Sequence, residues 1–303
     1  MNDNFYCNLK NIVGEANVLK DEPMSAHTTF RIGGNADYLV MPGNADQLEN
    51  IVKLCDENKA DYIVLGNGSN VLVSDKGIRG VVIQFQRGFN DIKVDGEHIY
   101  AMAGALLSKI AAEASKHSLE GFEFASGIPG SLGGAVLMNA GAYGGEMKDV
   151  IAYADVYKPS EGVVRLTPDE LELGYRTSII KHTDWIVLGA GINLKKGNRD
   201  EILKKMEQLR EQRNSKQPVD MPSAGSAFKR PQGYFAGKLI MDAGLRGFSI
   251  GGAAVSEKHC GFLVNKGGAT AEDMMRLFNE VKRIVNEKYG VMLEPEVRFI
   301  GEF

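Results

Sequence analysis

Two glycine-rich blocks carry the most direct chemical signal in this sequence. The first, Gly66-Asn67-Gly68-Ser69-Asn70, follows the short apolar run Tyr62-Ile63-Val64-Leu65. Glycines there permit positive φ, so successive backbone N–H groups can turn toward one point and form a nest that favours a phosphate. The Asn and Ser side chains add donors. The same five residues fit a tight turn between two strands equally well, since Gly-Asn is common in such turns. The second block, Ser126-Gly127-Ile128-Pro129-Gly130-Ser131-Leu132-Gly133-Gly134, leads into AVLMNAGAYGGEM. Here residues 130–134 predict the opening of a short helix whose N-terminus faces an anion. A tightly packed turn and helix is the plainer alternative. The small residues that follow would let a flat ligand lie against the backbone. Two anion nests together suit a long ligand such as a dinucleotide.

Neither block is a standard nucleotide loop. In GNGSNV, Val71 stands where a third Rossmann glycine belongs, and the VLVS that follows is strand-like rather than helical. The run from Gly233 to Leu239 is one residue short of a P-loop and lacks Ser or Thr after Lys238.

The elements that must position these blocks can be read from periodicity. Strands are predicted at 38–41, 62–65, 71–73, 81–85, 91–94 and 98–103. Asn44 caps a predicted helix over 45–58 whose inner face is Leu48, Ile51, Val52 and Cys55. A helix over 105–117 turns Leu106, Ile110, Ala111 and Ala114 inward. Strands follow at 150–158, 163–166 and 185–194, then a charged helix over 200–213 with Ile202, Leu203, Met206 and Leu209 inward. The break at Gln217-Pro218-Val219-Asp220-Met221-Pro222 marks the approach to a C-terminal domain. That domain is predicted to hold helices at 236–243 and 271–288, the second with Met274, Met275, Phe278, Val281 and Ile284 inward, and strands at 261–264 and 297–300. The class is α+β rather than a regular βαβ alternation.

Composition excludes several functions. Of 303 residues, 44% are hydrophobic and 24% charged, which is globular rather than disordered. Net charge is −4, so no basic face for nucleic acid is predicted. No run of about 18 apolar residues exists to span a membrane, and the first residues show no secretory signal. Cys7, Cys55 and Cys260 are odd in number and far apart, and the five histidines show no metal-ligand spacing. A cytoplasmic protein without a metal is expected. Glycine is the outlier: 36 residues, about 12% against a usual ~7%, gathered in blocks.

Seven segments, in order and over nearly the whole chain, resemble one family. They are Thr28-Thr29-Phe30-Arg31-Ile32-Gly33-Gly34, residues 66–70, residues 127–147, Gly174-Tyr175-Arg176-Thr177-Ser178, Ala224-Gly225-Ser226-Ala227-Phe228-Lys229, residues 251–265, and Glu294-Pro295-Glu296-Val297-Arg298-Phe299-Ile300-Gly301. Together they are similar to the UDP-N-acetylenolpyruvoylglucosamine reductases (MurB). The resemblance implies a vanillyl-alcohol-oxidase/PCMH-type FAD-binding fold of two α+β subdomains, 1–80 and 81–198, plus a substrate domain, 199–303, whose final strand near 293–303 returns to the first subdomain. It implies non-covalent FAD on Arg31, Gly33, Gly34, Gly66, Asn67, Gly68, Ser69, Asn70, Ser126, Gly127, Ile128, Gly130, Ser131, Gly133 and Gly134.

The implied reaction passes hydride from NADPH through the flavin to C3 of UDP-N-acetylglucosamine enolpyruvate and a proton to C2, giving UDP-N-acetylmuramate for peptidoglycan. By resemblance Ser226 is the proton donor, Arg176 the fork for a substrate carboxylate whose charge grows, and Glu296 the catalytic glutamate. Read locally, these would be a turn serine, a surface arginine and an ion-paired glutamate. Lys216 matches a lysine on substrate phosphate, with Lys229, His259 and Asn265 as further pocket residues. Only 39 residues separate Arg176 from Lys216, too few for the tyrosine-bearing insert of one branch, so the chain resembles the shorter type II branch and Tyr175 is given no lid role. Met241 stands where the family often has an acidic residue, and Asp242 beside it would point elsewhere on a helix. A monomer is expected. The alternatives are another flavin oxidase or dehydrogenase of this fold, for which His27 is the nearest covalent candidate, and a non-catalytic UDP-sugar binder.

Overall fold

The computed structural model describes residues 3–85 and 88–303. By contacts the chain forms two units, each discontinuous in sequence. The first comprises Met1–Lys20, Tyr38–Asn67 and Gly80–Gln212; the second comprises Asp21–Asp37, Gly68–Arg79 and Arg213–Phe303. This grouping differs from the three consecutive spans expected along the sequence, because residues 21–37 and 68–79 join 213–303.

In the first unit, helix α1 (Asp3–Val13) buries Phe5, Leu9 and Val13, a four-residue spacing that the sequence reading passed over. Helix α2 (Ala45–Glu57) is the expected one. Asn44 accepts from Gln47 N at 2.9 Å, and Leu48, Ile51, Val52 and Cys55 are all buried. Helix α3 (Leu107–Lys116) starts two residues later than expected. Leu106 is extended and bridges Ser131, so Leu107 takes the core position beside Ile110, Ala111 and Ala114. Five antiparallel strands form the main sheet, in the order Gly162–Leu166, Ile151–Lys158, Ile186–Asn193, His98–Met102, Ile92–Asp95. The central strand is buried at every residue but Asn193, as its unbroken apolar run demands. Tyr62–Leu65 pairs in parallel with residues 81–84. The short helix predicted at the second glycine block is α4 (Leu132–Leu137).

The long helix α5 (Arg199–Lys216) carries the boundary between the units within it. It buries Ile202 and Leu209, with Met206 half-buried, a stripe at i, i+4 and i+7. Leu203, expected inward, falls outside that stripe and is exposed.

The second unit has an antiparallel sheet in the order Ser223–Ser226, Phe262–Asn265, Ala253–Val255, Ser249–Ile250. It also holds helices α6 (Ala236–Asp242) and α7 (Ala271–Tyr289). The buried stripe of α7 is Met274, Leu277, Phe278, Val281 and Val285. Met275 and Ile284, expected inward, flank it and are half-buried. Thr270 and Asp273 form a reciprocal capping box at the start of α7. Arg298–Ile300 pairs in parallel with Val71–Val73, so the final strand does return to the first 80 residues.

Thr270→Ala removes the acceptor for Asp273 N and should lower unfolding free energy by about 1 kcal/mol, with Thr270→Ser close to the parent. Urea melts should show a lower midpoint at unchanged slope.

Candidate active site

In the first unit the leading edge of one glycine block meets the other. Asn67 Nδ2 donates to Pro129 O at 2.8 Å, and a Cβ on Gly66 would stand 2.5 Å from Ser131 Oγ. Ser131 is buried, and its hydroxyl is the one buried side-chain polar atom without a hydrogen-bond partner among the described residues. A group left so costs roughly 1–3 kcal/mol and calls for a reason, of which a bound ligand is one.

The start of α4 offers less to an anion than its sequence promised. Leu132 N and Gly133 N already donate to Ala105 O and Ala103 O at 2.9 and 2.8 Å. Of that turn, the Ser131 hydroxyl remains without a partner among the described residues. The rest of the block builds the loop wall. Ser126 Oγ donates to Glu123 O at 2.7 Å, Ile128 packs on the core, and Gly130 O accepts from Leu107 N at 3.0 Å. These contacts fit one polar ligand group beside Ser131 rather than a wide phosphate cradle.

Arg176 sits on a two-residue turn. Gly174 and Thr177 exchange both backbone hydrogen bonds, at 3.1 and 3.3 Å, which leaves Tyr175 and Arg176 at the tip. Arg176 has φ 58, a left-handed value uncommon outside glycine. Its Nη2 donates to Gly141 O at 3.3 Å, and its guanidinium carbon lies 5.2 Å from the Tyr175 ring centre. Tyr175 is 55% exposed. The turn is tied down by Ser178 Oγ on Leu137 O at 2.8 Å and by Asn139 Nδ2 on Gly174 O at 3.0 Å. Asn139 lay inside a quoted motif but was not singled out. The stretch up to Lys216 is taken up by a 3₁₀ turn, Ile179–His182, the strand Ile186–Asn193 and α5.

In the second unit Ser226 ends its strand, opposite Phe262, and is exposed. Residues 294–296 run antiparallel beside 227–229: Lys229 N donates to Glu294 O at 2.8 Å and Glu296 N to Ala227 O at 2.9 Å. Glu296 is thereby bonded to the residue after Ser226. On its other side Asn70 Nδ2 donates to Glu296 O at 3.3 Å, and Arg298 N donates to Asn70 O at 3.1 Å. Gly68 has φ 60, and a Cβ there would stand 2.0 Å from His27 O. Thr29, which sequence reasoning also left aside, donates its N to Gly68 O at 3.1 Å and its Oγ1 to Ser223 O at 2.6 Å, with Gly68 O also 3.4 Å from Oγ1. Arg31 is exposed at φ 55, Gly33 has φ 138, and Gly34 N donates to Ser74 O at 2.9 Å. Ser69 is half-buried in the turn.

The remaining pocket candidates differ. Lys216 is exposed on the last turn of α5. The Lys229 ammonium is held by Glu294. Asn265 is buried and spends its amide on Phe30 O, Gly267 N and Ala269 N, at 3.0, 2.9 and 3.2 Å, so it ties loops together. His259 is half-buried; its Nδ1 accepts from Gly261 N at 3.1 Å, which leaves the proton on Nε2. Asp242 pairs with Lys238 at 2.8 Å and Met241 Sδ lies 3.1 Å from Arg246, so neither carries an acidic contact inward. His27 faces Glu22 at 2.8 Å.

Comparison with known proteins decides the family. Residues 217–300 match the family model "UDP-N-acetylenolpyruvoylglucosamine reductase, C-terminal domain", and residues 36–167 match an FAD binding domain. A UDP-N-acetylenolpyruvoylglucosamine reductase from Caldanaerobacter subterraneus subsp. tengcongensis is 52% identical over 294 residues, 97% of each chain. The chain belongs to the UDP-N-acetylenolpyruvoylglucosamine reductase family. The crystal structure of MurB from Thermus caldophilus matches at a TM-score of 0.80 and 35% identity, over 94% of this chain and 98% of that one. An alkyldihydroxyacetonephosphate synthase matches at a TM-score of 0.50 and 19% identity, over 65% of this chain and 41% of its own, a likeness of fold alone. The α+β flavin-binding fold expected for a MurB-family chain is the one found.

Burial pushes the His259 imidazole below its ordinary value. The folded protein therefore takes up this proton at a lower pH than the unfolded chain, which binds it below about pH 6.5. Stability from this site is full above that pH and is lost as pH falls toward the folded value. His259→Gln should lose less stability than the parent between pH 7 and 5 in urea melts. A second comparison isolates backbone crowding. Gly68 and Gly96 have φ 60 and 61, but a Cβ on Gly96 meets nothing within 4 Å. Gly68→Ala should lower the melting temperature well beyond Gly96→Ala; equal shifts would deny the contact with His27 O.

Proposed function

We propose that this chain carries out the reaction its family is named for: NADPH-driven, FAD-dependent reduction of UDP-N-acetylglucosamine enolpyruvate. The observation that carries the reading is the bond from Glu296 N to Ala227 O, which holds the Glu296 backbone against the residue next to Ser226 at an exposed strand end. The Ser131 hydroxyl, unpaired among the described residues, supports FAD as the group held in the first unit, with Gly66 and Asn67 closing that loop. Gly68, Ser69, Asn70, Arg31, Gly33 and Gly34 are the cofactor residues of the second unit.

When bound, FAD would supply a two-electron carrier between NADPH and the enolpyruvyl C3. Charge then grows at C2 and spreads into the adjacent carboxylate. Arg176 offers that carboxylate a planar fork, which a lysine cannot reproduce. Ser226 gives a proton to C2. Glu296 in its protonated form shares hydrogen with the developing charge, and Asn70 fixes its backbone. Lys216, exposed and on a helix end, is the cation for substrate phosphate, with His259 a neutral donor in the same pocket. Lys229 and Asn265 shape that pocket while committed to Glu294 and to backbone. The type II branch, a monomeric state and a cytoplasmic setting complete the reading. No described helix is long and apolar enough to cross a membrane.

Anaerobic spectra test it. Flavin colour should bleach with NADPH and return with the enolpyruvyl substrate. Bleaching without return would replace the substrate and keep the flavin; a colourless protein that takes up no FAD would leave only a UDP-sugar binder. Ser226→Ala should reduce at the parent rate and reoxidise at least about 100-fold more slowly. A loss confined to reduction by NADPH would remove the proton-donor role. Arg176→Lys should recover only part of what Arg176→Ala loses, and full recovery would make the contact a simple charge.

A further inference from the structure

Asn139 follows α4, is fully buried and has φ 40. Its amide makes three hydrogen bonds to two pieces of chain. Nδ2 donates to Gly174 O at 3.0 Å, at the base of the turn that carries Arg176. Nδ2 also donates to Glu146 Oε2 at 2.8 Å, and Oδ1 accepts from Lys148 N at 2.9 Å, both on the loop that Asn139 itself begins. That loop contains Gly141, whose carbonyl takes Arg176 Nη2. One side chain thus ties down both the backbone that bears Arg176 and the carbonyl that aims its guanidinium. A residue with no exposed surface cannot touch substrate, so whatever Asn139 does for the reaction passes through another group.

We infer that Asn139 is the positioning residue for Arg176. The inference rests on Arg176 serving as the fork for the substrate carboxylate. The amide is suited to the task because its donors reach two acceptors at once and its oxygen takes a third bond, with little torsional freedom left. Leucine of similar size would leave Lys148 N unpaired and take from Gly174 O one of its two donors, the other being Thr177 N. Aspartate would keep the bond from Lys148 N, lose both donors and face the Glu146 carboxylate. Glycine suits the positive φ and removes the amide alone.

The test is a double-mutant cycle read on the two half-reactions of the flavin-loaded protein. Asn139→Gly should retain flavin and reduce with NADPH at the parent rate. Its reoxidation by the enolpyruvyl substrate should fall by about 100-fold, the scale expected when a reacting group is misplaced by about 1 Å. Added to Arg176→Ala, it should slow reoxidation no further. If it slows reoxidation by the same factor in both backgrounds, Asn139 does not act through Arg176. If both half-reactions fall together in Asn139→Gly, the role is general folding. Where the glycine variant loses its flavin, Asn139→Asp carries the same cycle with the same expectations. Parent-rate reoxidation by Arg176→Ala alone would overturn the reading of Arg176 itself, a result separable from additivity in the cycle.

Discussion

The bond from Glu296 N to Ala227 O organises the second unit. It joins stretches of chain nearly seventy residues apart, and the partners on either side extend it. Lys229 N closes on Glu294 O, Asn70 closes on Glu296 O, and Arg298–Ile300 continues beside Val71–Val73. Each such bond contributes only about 1 kcal/mol net. As a ladder they leave the backbone of Glu296 no alternative position relative to Ser226.

The first unit follows a different logic, in which satisfied and unsatisfied groups stand in contrast. The Asn139 amide is buried and well bonded, as buried amides are. The Ser131 hydroxyl is buried and has no partner, only a few residues away in sequence. In the same stretch and the turn tied to it, Asn139, Tyr143 and Arg176 have left-handed φ values of 40, 54 and 58. Such conformations persist when the surroundings determine them, and they cluster at functional sites.

Local pattern was a good guide wherever one face of one element decided the outcome. Leu48, Ile51, Val52 and Cys55 share a stripe that any α-helix would bury, and Asn44 needs only Gln47 to cap it. It erred where a neighbour intervened. Leu106 was pulled out of α3 by its bridge to Ser131, and Leu203 lost its place because α5 buries only a narrow stripe. The first two N–H groups of α4, expected to face an anion, were taken by Ala105 and Ala103.

The sequence by itself determined the family, the α+β class, most helices and strands, and the glycine blocks worth examining. These follow from residue type and short-range spacing, which the chain carries wherever it folds. Only the tertiary structure decided which polar groups remain available. Lys229 is spent on Glu294, Asn265 on three backbone groups and Asn139 on the Arg176 turn, while Ser131 is left over. Hydrogen-bond partners lie tens to hundreds of residues apart, and no local periodicity records whether a donor will find its acceptor occupied.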